Sequence, residues 1–137
     1  MGHSHGKRRP LTDKQKIVLD ALMNSDVPLS AYALLDQLSE EGFRAPLQIY
    51  RALEKLTEGG YVHRLESLNA FVACRHSGCV SEEPHTVLFA ICERCGRVQE
   101  EGDPSLFPTL SALAKRVDFS FNSSVIELKG HCSDCKD

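Results

Sequence analysis

Hydrophobic residues in the first half of the chain recur with the spacing of short helices. Thr12 stands three residues before Gln15, an arrangement in which two side chains cap a helix N-terminus, and the helix after it is predicted to reach about Asn24. Ser30 can cap a second helix, and Pro46 suits the first turn of a third. The positions predicted to face inward in the three helices are Ile17, Val18, Ala21 and Leu22; Ala31, Leu34, Leu35 and Leu38; and Ile49, Leu53 and Leu56.

After the third helix the hydrophobic pattern changes from helical spacing to that of strands. Residues 61–66 and 70–74 predict a β-hairpin, and a two-residue turn at Leu68 and Asn69 would place His63 directly opposite Cys74. Three helices followed by a hairpin are typical of a winged helix-turn-helix. In that motif the third helix enters the major groove of DNA and the hairpin forms the wing.

The second half of the chain has an α/β pattern. Residues 86–92, 96–101 and 124–129 predict strands, and Asp103-Pro104 opens a helix between the last two of them. The residues predicted on one face of that helix are Leu106, Leu110, Leu113 and Val117. The hydrophobic core of so small a unit is thin, so a metal, a partner subunit or both should stabilise it. The predicted boundaries are a winged-helix domain at 1–74, a linker at 75–84 and an α/β domain at 85–137.

Composition restricts the classes of protein to consider. The chain has 137 residues, of which 42% are hydrophobic and 26% charged, so wholesale disorder is not expected. The longest apolar run, residues 87–92, is far shorter than a membrane span of roughly 18 residues. No apolar stretch follows the basic residues near the N-terminus, so we expect no Sec-type signal peptide and a cytoplasmic protein.

Six cysteines in such a chain point to metal binding or redox chemistry, because a reducing cytosol does not maintain disulfides. Cys92 and Cys95 form one C-x-x-C pair, and Cys132 and Cys135 form a second. Two such pairs predict a shared tetrahedral site for structural zinc. The alternatives are two separate redox pairs or buried thiols.

A second set of possible metal ligands surrounds the predicted junction between the two halves. In the predicted hairpin His63 and Cys74 are opposed, while His85 and Glu100 lie near the open end of the next hairpin. Together they offer nitrogen, sulfur and oxygen ligands to one cation. The alternative is that His63 and Glu100 are solvated and that Cys74 is a small core residue.

Five segments of the sequence carry a resemblance to a known family. They are Leu29-Ser30-Ala31-Tyr32-Ala33-Leu34-Leu35-Asp36, Ile49-Tyr50-Arg51-Ala52-Leu53-Glu54-Lys55-Leu56, Gly60-Tyr61-Val62-His63-Arg64-Leu65-Glu66, Cys92-x-x-Cys95-Gly96 and Gly130-His131-Cys132-x-x-Cys135. The chain resembles the ferric uptake regulator family, of the zinc-responsive type. The segments span nearly the whole chain beyond residue 12.

This resemblance implies a homodimeric repressor that, when loaded with zinc, binds palindromic operators of zinc-uptake genes. It implies two zinc ions per subunit, one structural and one regulatory. It also implies that the α/β domain is a dimerisation domain. The implied regulatory ligands are His63, Cys74, His85 and Glu100. On DNA, the resemblance assigns a contact to Tyr32 and a base to Arg51; Tyr50, Arg44, Lys55 and Arg64 are the other expected contacts, of which the last three bind mainly phosphate.

Some features of the sequence depart from the iron-responsive members. Their His-His-Asp-His stretch after the wing is missing, and Phe107 and Ser124 stand where those members place two ligands. The thiolate of Cys74 favours zinc over a harder cation.

An iron or peroxide sensor of the same fold remains the first alternative, and a zinc-ribbon adaptor that binds protein is the second. An enzyme is not expected: no H-x-E precedes Cys92 as in a zinc deaminase, and the C-x-x-C pairs are better explained by zinc than by thioredoxin-like chemistry.

Overall fold

The computed structural model describes residues 10–75 and 85–136, and within them it leaves the side chains of His85 and Ser123 undescribed. These residues form two compact units, and the division falls after Arg75. The first unit contains α1 (Asp13–Met23), α2 (Ala31–Gln37), a 3-10 turn (Ser39–Glu41), α3 (Pro46–Glu58), β1 (Val62–Leu65) and β2 (Ala70–Ala73). The second contains β3 (His85–Cys92), β4 (Val98–Glu101), α4 (Leu106–Lys115) and β5 (Ser123–Gly130). No helix in the described ranges is long and apolar enough to cross a membrane.

The capping predictions for the first unit are confirmed. The hydroxyl of Thr12 accepts from the backbone N–H of Gln15 at 3.1 Å, and the Gln15 side chain accepts from the Thr12 N–H at 3.0 Å. Ser30 accepts from the N–H of Ala33 at 3.1 Å at the start of α2. Pro46 begins α3. Each cap satisfies a backbone donor that the helix itself leaves unpaired.

The core of the first unit is built from the predicted helix stripes. Val18, Leu34, Ile49 and Leu56 are fully buried and belong to one cluster that also includes Val62 of β1. Ile17, Ala21 and Leu35 pack against this cluster but are only partly buried. The hairpin therefore closes the same core that the helices form, which orients α3 and the wing together.

The hairpin register differs from the prediction by two residues. His63 pairs with Val72, and the N–H of Cys74 donates to the carbonyl of Tyr61 at 2.7 Å. The prediction that His63 lies directly opposite Cys74 is therefore wrong. The turn spans residues 66–69 and is therefore longer than the predicted two residues. Hydrogen bonds from the Arg64 guanidinium to Glu66 and Asn69 stabilise it.

The second unit is a three-stranded sheet with the order β4-β3-β5. The strands β3 and β4 pair antiparallel, whereas β3 and β5 pair in parallel from His85↔Ser123 to Cys92↔Gly130. Parallel neighbours end at the same edge of a sheet. This pairing brings Cys92 close to the segment that follows Gly130.

The helix α4 covers only part of this sheet. None of its residues is buried, and Leu113 is exposed. Val117, predicted to continue the apolar face of the helix, lies beyond its last residue, Lys115, and is 75% exposed. The prediction is wrong at this position because the helix ends in a turn in which the N–H groups of Val117 and Asp118 bond to carbonyls three residues back.

Gly42 provides a test of the link between the 3-10 turn and α3. It has φ +98°, and a Cβ built there would meet nothing within 4 Å. A change to Ala therefore introduces backbone strain without a clash, and we expect Gly42→Ala to lower the free energy of unfolding of the first unit by about 1 kcal/mol. Gly42→Asn should cost less because Asn tolerates this conformation better. Chemical denaturation measures both variants, and equal midpoints for Ala, Asn and the parent would contradict the argument.

Candidate metal centres and nucleic-acid interface

The four cysteines of the two C-x-x-C pairs meet at one edge of the second unit. Cys92 is the last residue of β3 and opens the turn to β4, where the N–H of Gly96 donates to the Cys92 carbonyl at 3.0 Å. Cys132 and Cys135 follow β5, and the N–H of Cys135 donates to the Cys132 carbonyl at 3.0 Å. A bond from the Glu93 N–H to the Gly130 carbonyl at 2.8 Å joins the two turns.

The sulfur atoms of this cluster have the spacing of a tetrahedral zinc site. The Sγ atoms of Cys92, Cys95, Cys132 and Cys135 all lie within 4.8 Å of one another. Those of Cys95 and Cys132 are 3.8 Å apart. Zn–S bonds of about 2.3 Å in a tetrahedron require a sulfur–sulfur distance of about 3.8 Å. The donors present therefore fit zinc, and the predicted shared site is supported over two separate redox pairs.

The four thiols do not ionise equally. Backbone N–H groups of Cys95 and Cys132 bond to the Cys92 sulfur and lower the pKa of Cys92 to about 5. Hydrogen bonding with the side chain of Cys132, together with burial, raises the pKa of Cys135 to about 12. At neutral pH the protein alone therefore favours the thiolate of Cys92 and disfavours that of Cys135. A divalent cation would remove this resistance, since zinc binds the thiolate form and displaces the protons.

Two arginines border the cysteine cluster. Arg97 lies 3.2 Å from the carboxylate of Asp134, and Arg94 donates to the Cys135 carbonyl at 2.9 Å. The nearby carboxylate of Asp134, followed by electrostatic interactions with Cys132 and Cys95, raises the pKa of Arg97. Four thiolates around Zn²⁺ have a net charge of −2, which a nearby cation partly offsets. The spacing of the cysteines did not indicate that Arg97 lies at this cluster. The only sequence signal for it is that a basic residue follows closely after the first C-x-x-C pair.

In the first unit, His63 and Cys74 share one face of the hairpin. Because the register differs from the prediction by two residues, and side chains alternate with a period of two, both remain on the same side. A nitrogen of His63 and the Sγ of Cys74 lie within 4.8 Å of each other, and both residues are half-buried. This pair presents two of the four predicted regulatory ligands.

The remaining two predicted ligands belong to the second unit. His85 is the first residue of β3, but its side chain is outside what the structure describes. Glu100 lies on β4 opposite Phe89 and is half-buried, whereas its neighbour Glu101 is exposed. His76 and Cys79, in the predicted linker, lie outside the described residues.

Cys74 is disulfide-bonded in this structure, while the four cysteines of the cluster are free thiols. Since a metal is bound by the thiolate, zinc ligation by Cys74 requires this bond to be reduced first.

The outer face of α3 presents the residues predicted to contact DNA. Tyr50, Arg51 and Lys55 are exposed, while Ile49 and Leu53 of the same helix are buried in the core. Tyr32 on α2 is 65% exposed. An exposed aromatic and basic face on the third helix of a winged helix-turn-helix is suited to the major groove.

The other two predicted DNA contacts differ in their surroundings. Arg64 is exposed but donates to Glu66 at 3.0 Å and to Asn69 at 2.9 Å, so it is held against the wing turn. The side chain of Arg44 is exposed just before α3. Both assignments remain predictions.

Phe107 and Ser124 stand where the family resemblance predicts that iron-responsive members place two further ligands. The Phe107 ring packs edge-on against Phe121, with ring centroids 5.1 Å apart. The hydroxyl of Ser124 lies 2.7 Å from that of Thr86. In this unit Phe107 therefore takes part in an aromatic contact and Ser124 in a hydroxyl pair.

Comparisons with known proteins identify relatives among solved structures. No protein-family model matches the chain, and no curated protein sequence matches it. The structure of holo XcZur is 39% identical, has a TM-score of 0.80, and the match covers 91% of this chain and 85% of that one. A zinc uptake regulator complexed with zinc and DNA is 36% identical, has a TM-score of 0.82, and the match covers 92% and 83%.

A more distant match, the ferric uptake regulator of Helicobacter pylori, is 18% identical over 93% of this chain and 83% of its own, with a TM-score of 0.58, and shares the fold alone. The winged-helix and α/β architecture with a four-cysteine cluster is therefore confirmed. On the identity and coverage of the two zinc regulators, the chain belongs to the ferric uptake regulator family, among its zinc uptake regulators.

Proposed function

We propose that this protein is a cytoplasmic, zinc-responsive transcriptional repressor that binds palindromic operators of zinc-uptake genes as a zinc-loaded homodimer. The observation that carries the proposal is the His63–Cys74 pair, because it puts two metal ligands on the wing of a DNA-binding unit. The complex of a related regulator with zinc and DNA supports it. As a member of this family the chain is a regulator and not an enzyme.

We assign the structural zinc to Cys92, Cys95, Cys132 and Cys135. Zinc at this site would tie the end of β5 to the turn between β3 and β4, in a unit whose buried side chains, among those described, come almost entirely from β3. Four protein ligands close the site, which is typical of zinc with a structural role.

We assign the regulatory zinc to His63 and Cys74 of the first unit together with His85 and Glu100 of the second. A nitrogen, sulfur and oxygen donor set with one thiolate suits zinc better than a hard cation. One ion bound by both units would restrict the position of α3 relative to the dimerisation domain.

A charge count favours geometry over simple attraction as the cause of the zinc response. Zinc adds two positive charges, and deprotonation of Cys74 removes one, so the net change is +1 per subunit on a chain of formal charge −3. This change is too small to dominate attraction to DNA. Half-sites one helical turn apart, roughly 34–36 Å, instead require a fixed separation of two recognition helices. Zinc would increase the population with that separation.

The second unit provides the surface for a homodimer. Apolar side chains of α4 and the segment after it are exposed, and β5 is an edge strand of the described sheet. Val125 and Leu128 of β5 are both about half exposed, at 52% and 51%. An exposed edge strand with apolar side chains favours pairing with a second chain.

On DNA, we assign a base contact to Arg51, and further contacts to Tyr32, Tyr50, Arg44, Lys55 and Arg64. Arg can donate two hydrogen bonds to guanine, which makes Arg51 the strongest candidate for sequence recognition. Lys55 and Arg44 would bind phosphate, which sets affinity without selecting sequence.

The structural site is tested with Cys132→Ser, which removes one of four thiolates. We expect the variant to lose the zinc that resists mild chelation in the parent, and the second unit to lose its native structure, because an incomplete site no longer closes. Metal content by mass spectrometry and circular dichroism measure the two effects. Ser133→Ala, exposed in the same turn, is the control and should retain zinc. A chelation-resistant zinc in Cys132→Ser would contradict the assignment.

The regulatory site is tested with adjacent carboxylates of β4. We expect Glu100→Gln, like Cys74→Ser, to keep the dimer and the structural zinc but to lose zinc-dependent binding to a duplex selected by the parent protein from a random library. Glu101→Gln should respond to zinc as the parent does, because Glu101 is exposed and on the opposite face of the strand. Binding is measured under reducing conditions against free zinc. If all three variants bind the duplex with the same zinc dependence as the parent, the proposed site is refuted.

The dimer surface is tested with Val125→Asp. A charge at this exposed position should leave the subunit folded but oppose an apolar interface, so we expect a shift from dimer to monomer in analytical ultracentrifugation. Val27→Asp, at a similarly exposed valine of the first unit, is the control and should remain dimeric. A dimer of unchanged stability in Val125→Asp would place the interface elsewhere.

A further inference from the structure

An exposed leucine stands in the first turn of α3. Leu47 follows Pro46 directly and is 56% exposed, which makes it the most exposed large aliphatic side chain among the described residues of the first unit. Tyr50, three residues later, is exposed on the same side. Arg51, four residues later, completes this face. Leu47 lies off the buried stripe of Ile49 and Leu53 and is not among the buried residues of the core.

The neighbouring polar residue is occupied by the protein itself. The Oε1 atom of Gln48 accepts from the backbone N–H of Arg44 at 2.6 Å and from that of Ala45 at 3.2 Å. A Gln amide can pair with adenine, but here it caps the helix. The first two turns of α3 therefore present Leu47, Tyr50 and Arg51 outward, and only the first of these is aliphatic.

We propose that Leu47 is a specificity-determining residue that contacts the C5-methyl group of a thymine in the major groove. The proposal rests on the DNA-binding function proposed above. The N-terminal part of a recognition helix faces base edges, and the thymine methyl is the apolar group that the four base pairs present in the major groove. An exposed leucine at this point selects thymine because contact with the methyl removes apolar surface of both groups from water, whereas contact with a polar base edge leaves hydrogen-bonding groups of the base without a partner.

The helix geometry also limits where this thymine lies. Residues at i and i+4 of a helix have Cβ atoms about 5–6 Å apart. Base pairs of B-DNA are spaced by about 3.4 Å along the axis. The thymine contacted by Leu47 should therefore lie within about two base pairs of the base contacted by Arg51.

The test removes the methyl group from the DNA and the leucine from the protein. A duplex is first selected from a random library with the zinc-loaded parent protein, and each thymine is then replaced singly by uracil, which lacks only the C5-methyl. We expect one position in each half-site at which uracil weakens binding by the parent about fourfold, the loss of one buried methyl. Leu47→Ala should bind thymine and uracil equally at that position, and Leu47→Met should restore the difference.

Two controls separate this role from others. Leu68→Ala removes an exposed leucine from the wing turn and should keep the full thymine preference. An Arg51→Ala variant, tested on duplexes with changed guanines, locates the second contact and the expected distance to the first. Thermal unfolding of Leu47→Ala should stay close to that of the parent because Leu47 is more than half exposed.

The possible failures are distinct. If the parent selects no duplex, the proposed function itself is wrong. If it selects a duplex but no uracil substitution weakens binding, or Leu47→Ala keeps the same thymine preference, Leu47 does not contact a thymine methyl. If Leu47→Ala instead changes the oligomeric state and weakens all duplexes equally, Leu47 belongs to a protein interface and the inference is overturned.

Discussion

The parallel pairing of β3 with β5 is the constraint on which the second unit depends. It ends both strands at one edge and so brings the Cys92 turn against the turn at Cys132. The four Sγ atoms lie within 4.8 Å of one another, and hydrogen bonding and burial there raise the pKa of Cys135. The topology therefore creates a cluster that suits a metal, and a metal bound there would stabilise a sheet whose buried side chains, among the described residues, come almost entirely from one strand.

The first unit, unlike the second, has an extensive hydrophobic core. Its helices and hairpin bury a continuous apolar cluster from Val18 to Ala73. Such a core can fold the wing by itself, so the regulatory zinc proposed at His63 and Cys74 is not required for folding. Its proposed effect is on the position of an already folded DNA-binding unit, which fits a reversible response better than folding and unfolding would.

Much of this architecture could be predicted from the sequence, because caps and apolar stripes are local signals. The reciprocal hydrogen bonds of Thr12 and Gln15, the Ser30 cap and the four-cysteine cluster are all as predicted. The wing register was wrong since turn length depends on side-chain bonds from Arg64 that spacing does not reveal. Because side chains alternate with a period of two, a register error of two residues leaves His63 and Cys74 on the same face of the hairpin, as predicted. The end of α4 and the role of Gln48 were missed because both depend on backbone hydrogen bonds at helix ends.

The separation along the chain between β3 and β5 has a consequence for the order of folding. Every rung of that pairing joins residues 38 apart, as in His85↔Ser123, whereas the wing strands pair across a turn of four residues. Closing a long loop costs more entropy before contacts compensate for it, so the winged unit should form first and the second unit more slowly. When zinc is scarce, newly made chains would accumulate with a folded winged unit and an unpaired β3 edge. That edge is a target for proteases and for strand-to-strand aggregation, so zinc supply would also set how much of the protein survives.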